Sequence, residues 1–202
     1  MKMTTGGFDI LRKKFGSLKQ SQVDAINHIV QTINDDGTIS YPQAAYVLAT
    51  IHKETGGKML PVAEIGNGKN KTYGTWYKNS KGELYCFKDS SKHQAYMFSN
   101  YPYLYYGRGI VQVTWYSNYE KLSKILGVDL LSNPDLLLQE EYSTKAALYG
   151  MKTGLFTGKK LDDYINASQK DYVNARKIIN GTDCAVEIAG YAEVYESALR
   201  SY

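Results

Sequence analysis

Apolar residues recur at helical spacing through Val23, Ile26, Val30 and Ile33, which predicts an amphipathic helix over 20–33 ending at the turn Asp35-Asp36-Gly37. A second stripe, Ala44, Val47, Leu48 and Ile51, predicts a helix over 41–55 that Gly56-Gly57 stops. From about 66 to 106 the period fades and Gly, Asn, Lys, Ser and Tyr dominate. Short strands over 72–77 and 83–87, joined through Asn79-Ser80-Lys81-Gly82, are predicted there. Helical spacing returns in Tyr119, Leu122, Ile125 and Leu126, closed by Gly127. Asn133-Pro134 reads as an N-cap with proline at the first helical position, opening a helix to about 149. Two more helices near 161–167 and 171–180, and a last one over 184–199, complete a mainly α (α+β) chain. No repeat, low-complexity tract or Pro/Ser-rich linker marks a boundary, so 1–202 reads as one domain.

Continuing the second stripe by three lands on Glu54. A carboxylate at a core-facing position is unfavourable unless it is paired, hydrogen-bonded or protonated. Burial of a carboxyl group favours its protonated form, which is what a general acid near neutral pH requires. A second carboxylate, Glu64, follows beyond the helix stop, and two carboxylates in different surroundings are the minimum equipment for glycoside hydrolysis. Each has an ordinary reading as well. A glutamate on an apolar helix face is more often paired with an arginine, for which Arg108 is a candidate, and loop glutamates such as Glu64 are common.

Composition narrows the class without naming a partner. A hydrophobic content of 43% and a charged content of 22% are ordinary for a globular domain. Nineteen tyrosines are the outlier; such rings line sugar grooves or simply pack. The net charge of +4 suits a polyanionic surface such as a bacterial wall, membrane or nucleic acid and identifies none of them. Cys86 and Cys184 lie far apart and form no CxxC, so neither a disulfide scaffold nor a structural zinc site is expected. The three histidines form no HExxH and no i, i+4 pair, which removes the metal site of a zinc amidase or peptidase, and a GxSxG elbow is absent. No apolar leader or membrane-length stretch is visible.

Three blocks carry a resemblance: Ile51-His52-Lys53-Glu54-Thr55-Gly56-Gly57, Tyr105-Tyr106-Gly107-Arg108-Gly109-Ile110-Val111-Gln112-Val113-Thr114-Trp115, and Ile179-Asn180-Gly181. In this order they resemble the family 19 glycoside hydrolases, and within them the compact phage endolysins more than the plant chitinases. The resemblance implies a lysozyme-like, two-lobed helical domain with a small irregular β region around 66–105, acting without metal or cofactor. It also implies inverting hydrolysis of β-1,4 bonds to N-acetylated amino sugars. Position by position, Glu54 matches the general acid, Glu64 the base that activates water, and Thr114 the hydroxyl that helps hold that water. Gln112, Asn118 and Asn180 match polar positions that contact the sugar or its N-acetyl group; Tyr106 is a further substrate-binding candidate, and Arg108, between two glycines, reads as a structural clamp on carboxylates or carbonyls. An inverting pair needs its carboxyls roughly 6.5–9.5 Å apart, which separate segments can provide. One departure stands out: the family carries His directly before the acid, whereas here Lys53 holds that place and His52 precedes it.

The expectation is a monomeric, single-domain enzyme on the glycan strands of peptidoglycan, with no separate wall-binding domain and no nucleic-acid or membrane partner. Synthesis in a host cytoplasm and holin-type release would bring it to the wall. Chitin hydrolysis by the same residues is the nearer alternative, and a non-catalytic wall-binding module the more distant one. Trp76, Tyr73 and Tyr77 are candidates for groove walls in 66–105. The adjoining Gly107 and Gly109 are expected to let the backbone pass close to the groove.

Overall fold

The computed structural model describes residues 1–201. They divide into two compact units, one of residues 1–60 with 147–201 and one of residues 61–146. Neither boundary carries a linker composition, and the second falls inside a helix, which is why the sequence shows none.

The first unit holds α1 (Thr5–Phe15), α2 (Gln20–Asp36), α3 (Tyr41–Glu54) and α6 (Ala185–Leu199). Helix α3 is the axis, packed along α6 and against α2, while α1 lies on α6. Its nine residues from Gln43 to Ile51 are all buried. Both helices bury small side chains, Ala44, Ala45 and Ala49 on α3 and Ala185, Ala189 and Ala192 on α6. A helix segment buried on every side belongs inside, so the stripe read from the sequence is one face of a segment, 43–51, that is enclosed all round. Ser40 and Gln43 form a reciprocal capping box at its start, and Gln43 also donates to Asp162 and to the Ile165 carbonyl. Gly56 and Gly57, at φ 57° and 80°, end it where the sequence predicts.

The second unit contains two small antiparallel sheets and α4 (Tyr116–Leu126). In one sheet β1 (Val62–Ala63) pairs with β5 (Arg108–Gly109), Val62 opposite Gly109. In the other, β2 (Tyr77–Lys78), β3 (Leu84–Phe87) and β4 (Ala95–Met97) lie in sequential order. Its core is a tyrosine cluster: Tyr96, Tyr105, Tyr116 and Tyr119 are buried with ring centroids 4.8–5.3 Å apart. Their hydroxyls find carbonyl acceptors, Tyr105 on Leu131, Tyr96 on Tyr103 and Tyr119 on Tyr106. For these residues the tyrosine excess is packing.

Several expectations need correction. The strand predicted over 72–77 is a 3-10 turn at Thr72–Gly74 followed by β2, while β4 and the β1–β5 pair carried no local signal. The helix predicted from Asn133 to about 149 is a 3-10 turn, Pro134–Leu138, then an extended Gln139, then α5 (Glu140–Thr153). The helices predicted near 161–167 and 171–180 are 3-10 turns at Leu161–Asp163 and Asn174–Ile178. Segments this short are held by packing rather than propensity. Helix α1 was not anticipated; it is capped by Thr4, whose hydroxyl accepts from the Gly7 N–H. No helix among the described residues is long and apolar enough to cross a membrane.

Candidate functional site

In the first unit, Glu54 closes α3 with its side chain 18% exposed. It does not stand in apolar surroundings, as its place on the stripe suggests. Arg176 donates to it at 2.6 Å from the turn Asn174–Ile178. That guanidinium is only 4% exposed and also contacts Asp183, at 3.4 Å to the carboxylate and 3.1 Å to the carbonyl. Glu54 is thus compensated by pairing, and its partner is Arg176 rather than Arg108. In the sequence Arg176 stands beside Lys177 and Asn174 in a mixed segment, so no local signal marked it as the buried counter-charge. Asn180 follows in the same turn: its N–H donates to the Arg176 carbonyl and its exposed side chain accepts from the Gly181 N–H.

Lys53, one residue before Glu54, pairs with Glu187 of α6 at 2.6 Å, and Tyr191 donates to the same carboxylate at 2.6 Å. Hydrogen bonds from these two hold the Glu187 carboxyl below its ordinary range. His52 points elsewhere, into a ring cluster with Phe15, Tyr191 and Tyr195, its Nδ1 2.9 Å from the Tyr195 hydroxyl. Burial lowers its pKa, partly offset by Glu187. Lys53 and His52 therefore do separate jobs, as adjacent helical positions about 100° apart must.

In the second unit, Glu64 follows β1 and is held at both oxygens. Tyr73 donates to one at 2.9 Å and the Gly107 N–H to the other at 3.0 Å, while the Glu64 N–H donates to the Gly107 carbonyl at 2.7 Å. Burial first, and then Glu64, push the Tyr73 phenol up to about 12, so it stays a donor at neutral pH. Tyr73, read from sequence as a groove wall, is a direct partner of the candidate base; its ring meets Trp115 edge-on at 5.2 Å.

The Gly-Arg-Gly block builds the support. Arg108, 4% exposed, donates to Asp135 at 2.7 Å and to the carbonyls of Leu104 and Tyr106, and it stacks 3.6 Å from the Tyr106 ring centroid. A Cβ on Gly107 would lie 2.8 Å from Gln112 Oε1 and 3.3 Å from Glu64 Oε2. Gly109, at φ 90°, would meet Ser143 Oγ at 2.6 Å. Gly109 is thus made small by a protein neighbour on α5, whereas Gly107 makes room for Glu64 and Gln112.

The Gln112 amide donates to the carbonyls of Val62 and Gly109, at 2.8 and 2.9 Å, so its nitrogen ties β1 to the β5 turn. Asn118 donates to the Thr114 carbonyl at 2.9 Å. The half-buried Thr114 hydroxyl has no partner among the described residues and is free to hold a ligand or water. Tyr106 and Trp76 line a cavity of about 610 Å³ together with Asn67, Tyr103, Asn133 and Asp135. The remaining groove candidate, Tyr77, packs with Tyr85 and Phe87 on the three-stranded sheet instead. Glu64, Tyr106, Arg108, Gln112, Thr114 and Asn118 are thus one assembly, and Glu54, Arg176 and Asn180 another.

The profile of glycoside hydrolase family 19, described as Chitinase class I, matches residues 22–174. An inactive chitinase-like protein 1 of Hevea brasiliensis is 29% identical over 175 residues, covering 79% of this chain and 56% of that one. Endochitinase 1 of Theobroma cacao is 35% identical over 111 residues, covering 52% of this chain and 30% of that one. The chain thus spans about half or less of the length of these curated relatives. A solved bacterial family 19 chitinase has a TM-score of 0.63 at 22% identity, covering 99% of this chain and 96% of its own. Chitinase C from Streptomyces griseus HUT6037 gives 0.63 at 18%, covering 98% and 76%. The shared fold is the mainly helical, lysozyme-like one with small antiparallel sheets. By its sequence profile over most of its length, this chain belongs to glycoside hydrolase family 19, the class I chitinase family.

Proposed function

We propose that the chain hydrolyses β-1,4 bonds in polymers of N-acetylated amino sugars with inversion, Glu54 serving as acid and Glu64 as base. The observation that carries this is the holding of both carboxylates: Arg176 fixes Glu54, and Tyr73 with the Gly107 N–H fixes Glu64. Arg176 and the Gly107 N–H are buried and Tyr73 is half-buried, and a reacting carboxylate needs a fixed direction. The free Thr114 hydroxyl supports a role in placing the attacking water. Asn118 Oδ1, the exposed Asn180 and Tyr106 are proposed to contact the sugar, with Gln112 limited to its Oε1 because its nitrogen is occupied.

One relative is named inactive, so membership of the family does not itself carry activity, and the proposal rests on the two glutamates. Chitin is the first substrate to test, since most of the curated relatives are named chitinases or endochitinases. Peptidoglycan is the second reading, as the substrate of a phage endolysin reaching the wall by holin-type release; the likeness of the three motif blocks to the compact phage endolysins supports it. Replacing Glu54 by Gln should lower turnover on chitin oligomers or purified sacculi by about 10²–10⁴-fold. It should spare sugars with an activated aryl leaving group, which need no acid, whereas Glu64→Ala should lose both and be rescued by azide. Near wild-type turnover in Glu54→Gln would sink the proposal.

A further inference from the structure

Two side chains inside the first unit, Tyr46 and Thr50 of α3, are wholly buried. Neither the Tyr46 hydroxyl nor Thr50 Oγ1 has a hydrogen-bond partner among the described residues. Comparable groups in the same unit are satisfied. The buried phenols of Tyr172 and Tyr195 meet Glu196 and His52. Thr32 and Thr55 donate to the carbonyl four residues back, the ordinary recourse of a helical threonine, which Thr50 forgoes. A buried hydroxyl left unbonded is costly, so two of them side by side ask for a reason.

Their place on the helix supplies one. Positions 46, 50 and 54 are four apart, so these side chains follow one another along the face of α3 that ends in Glu54. Burial pushes the Tyr46 phenol up, and Thr50, Arg176 and Glu54 are the next groups to bear on it. The two hydroxyls therefore lie beside the Glu54–Arg176 contact. Arg176 Nη1 gives one N–H to Glu54 at 2.6 Å, and its second N–H has no acceptor among the described residues. The Nε and Nη2 atoms are turned to Asp183. Lys53 and Glu187, the other charged pair at this end of α3, close on each other.

A guanidinium beside a carboxylate favours the ionised form, whereas a general acid must carry its proton until the leaving oxygen takes it. A guanidinium only 4% exposed, deprived of its partner's charge, needs another acceptor within reach. We propose that Tyr46 and Thr50 are that acceptor. Arg176 turns Nη1 to the two hydroxyls while Glu54 is protonated, and returns to Glu54 once the proton has passed to the leaving oxygen. The hydroxyls bond nothing beside the ionised acid because they serve the protonated one. The inference rests on the assignment of Glu54 as the acid. Tyr46 and Thr50 are positioning residues, acting on the substrate only through Arg176 and Glu54.

The test compares melting temperatures of the full chain in two backgrounds, with Glu54→Gln standing for the protonated acid. With Glu54 intact, the pair Tyr46→Phe/Thr50→Val should leave the melting temperature unchanged or raise it, since it removes hydroxyls that bond nothing. In the Glu54→Gln chain the same pair should lower it by about 2–4 °C, the size expected for one lost hydrogen bond in a chain of this length. A shift of the same sign in both backgrounds, or none in the Glu54→Gln chain, would leave Asp183 as the only second partner of Arg176 and overturn the inference. Turnover gives an independent arm. With Glu54 intact, the pair should lower kcat on chitin oligomers about tenfold at unchanged KM, a part of what the acid supplies, and spare sugars with an activated aryl leaving group. Thr50→Val alone should show part of that loss and Thr50→Ser should recover it. Equal loss on both substrates, or no loss, would also overturn the inference. Retained hydrolysis by Glu54→Gln would instead count against Glu54 as the acid, and the melting comparison would still decide where Arg176 turns.

Discussion

Arg176 shows how much one side chain can hold. It is almost fully buried and joins Glu54 to Asp183 from the turn Asn174–Ile178. Replacing it by Met should leave Glu54 without its partner and cost about 3 kcal/mol of stability, the lower end for a broken buried pair because Glu54 is partly open to solvent. Urea unfolding measures this, and a change within 0.5 kcal/mol would show the pair to be incidental. His52 offers a pH test. Burial, the larger influence, lowers its pKa, and Glu187 only partly offsets this, so the folded chain binds its proton less readily than the unfolded one. Stability is then lost as pH falls through about 6.5, the unfolded value. His52→Phe should flatten the stability profile between pH 7 and 5 relative to wild type; an unchanged slope would assign the effect elsewhere.

At the scale of elements, the antiparallel pair β1–β5 is two residues long on each side and positions Glu64 beside Gly107. A sheet so short is held by its surroundings: the Gln112 amide across both strands and the Arg108 clamp behind them. Gly107→Ala would put a methyl group 2.8 Å from Gln112 Oε1 and against Glu64. The backbone there is not left-handed, so the cost is contact rather than dihedral strain, about 1–3 kcal/mol. Thermal unfolding should show that loss together with a fall in turnover, because the displaced side chain is the candidate base. Elements of this kind were the illegible part of the chain. Val62 and Gly109 pair far apart in sequence with no alternation to announce them, whereas α2, α3, α4 and α6 declare themselves through spacing and stop signals. The 3-10 turns at 161–163 and 174–178 lie between: their apolar residues suggested helices, but each is too short to gain from helical hydrogen bonding.

For the whole molecule, the sequence determined the four principal helices, the class and the family motifs. These depend on neighbours three or four residues apart and on runs such as Gly-Arg-Gly that force a particular backbone. It located both candidate carboxylates, because each lies in or beside a recognisable block. It did not determine which partner each would have. The Glu54–Arg176 contact joins residues 122 positions apart, and the Lys53–Glu187 contact residues 134 apart. Nothing in local spacing distinguishes Arg176 from Arg108 as the cation that Glu54 would meet. Nor could composition sort tyrosines that pack, such as Tyr105 and Tyr119, from Tyr73, which holds Glu64. Those choices belong to the tertiary structure. Burial makes an unpaired charge or hydroxyl costly, and only the folded chain shows which distant donor comes within reach to remove that cost.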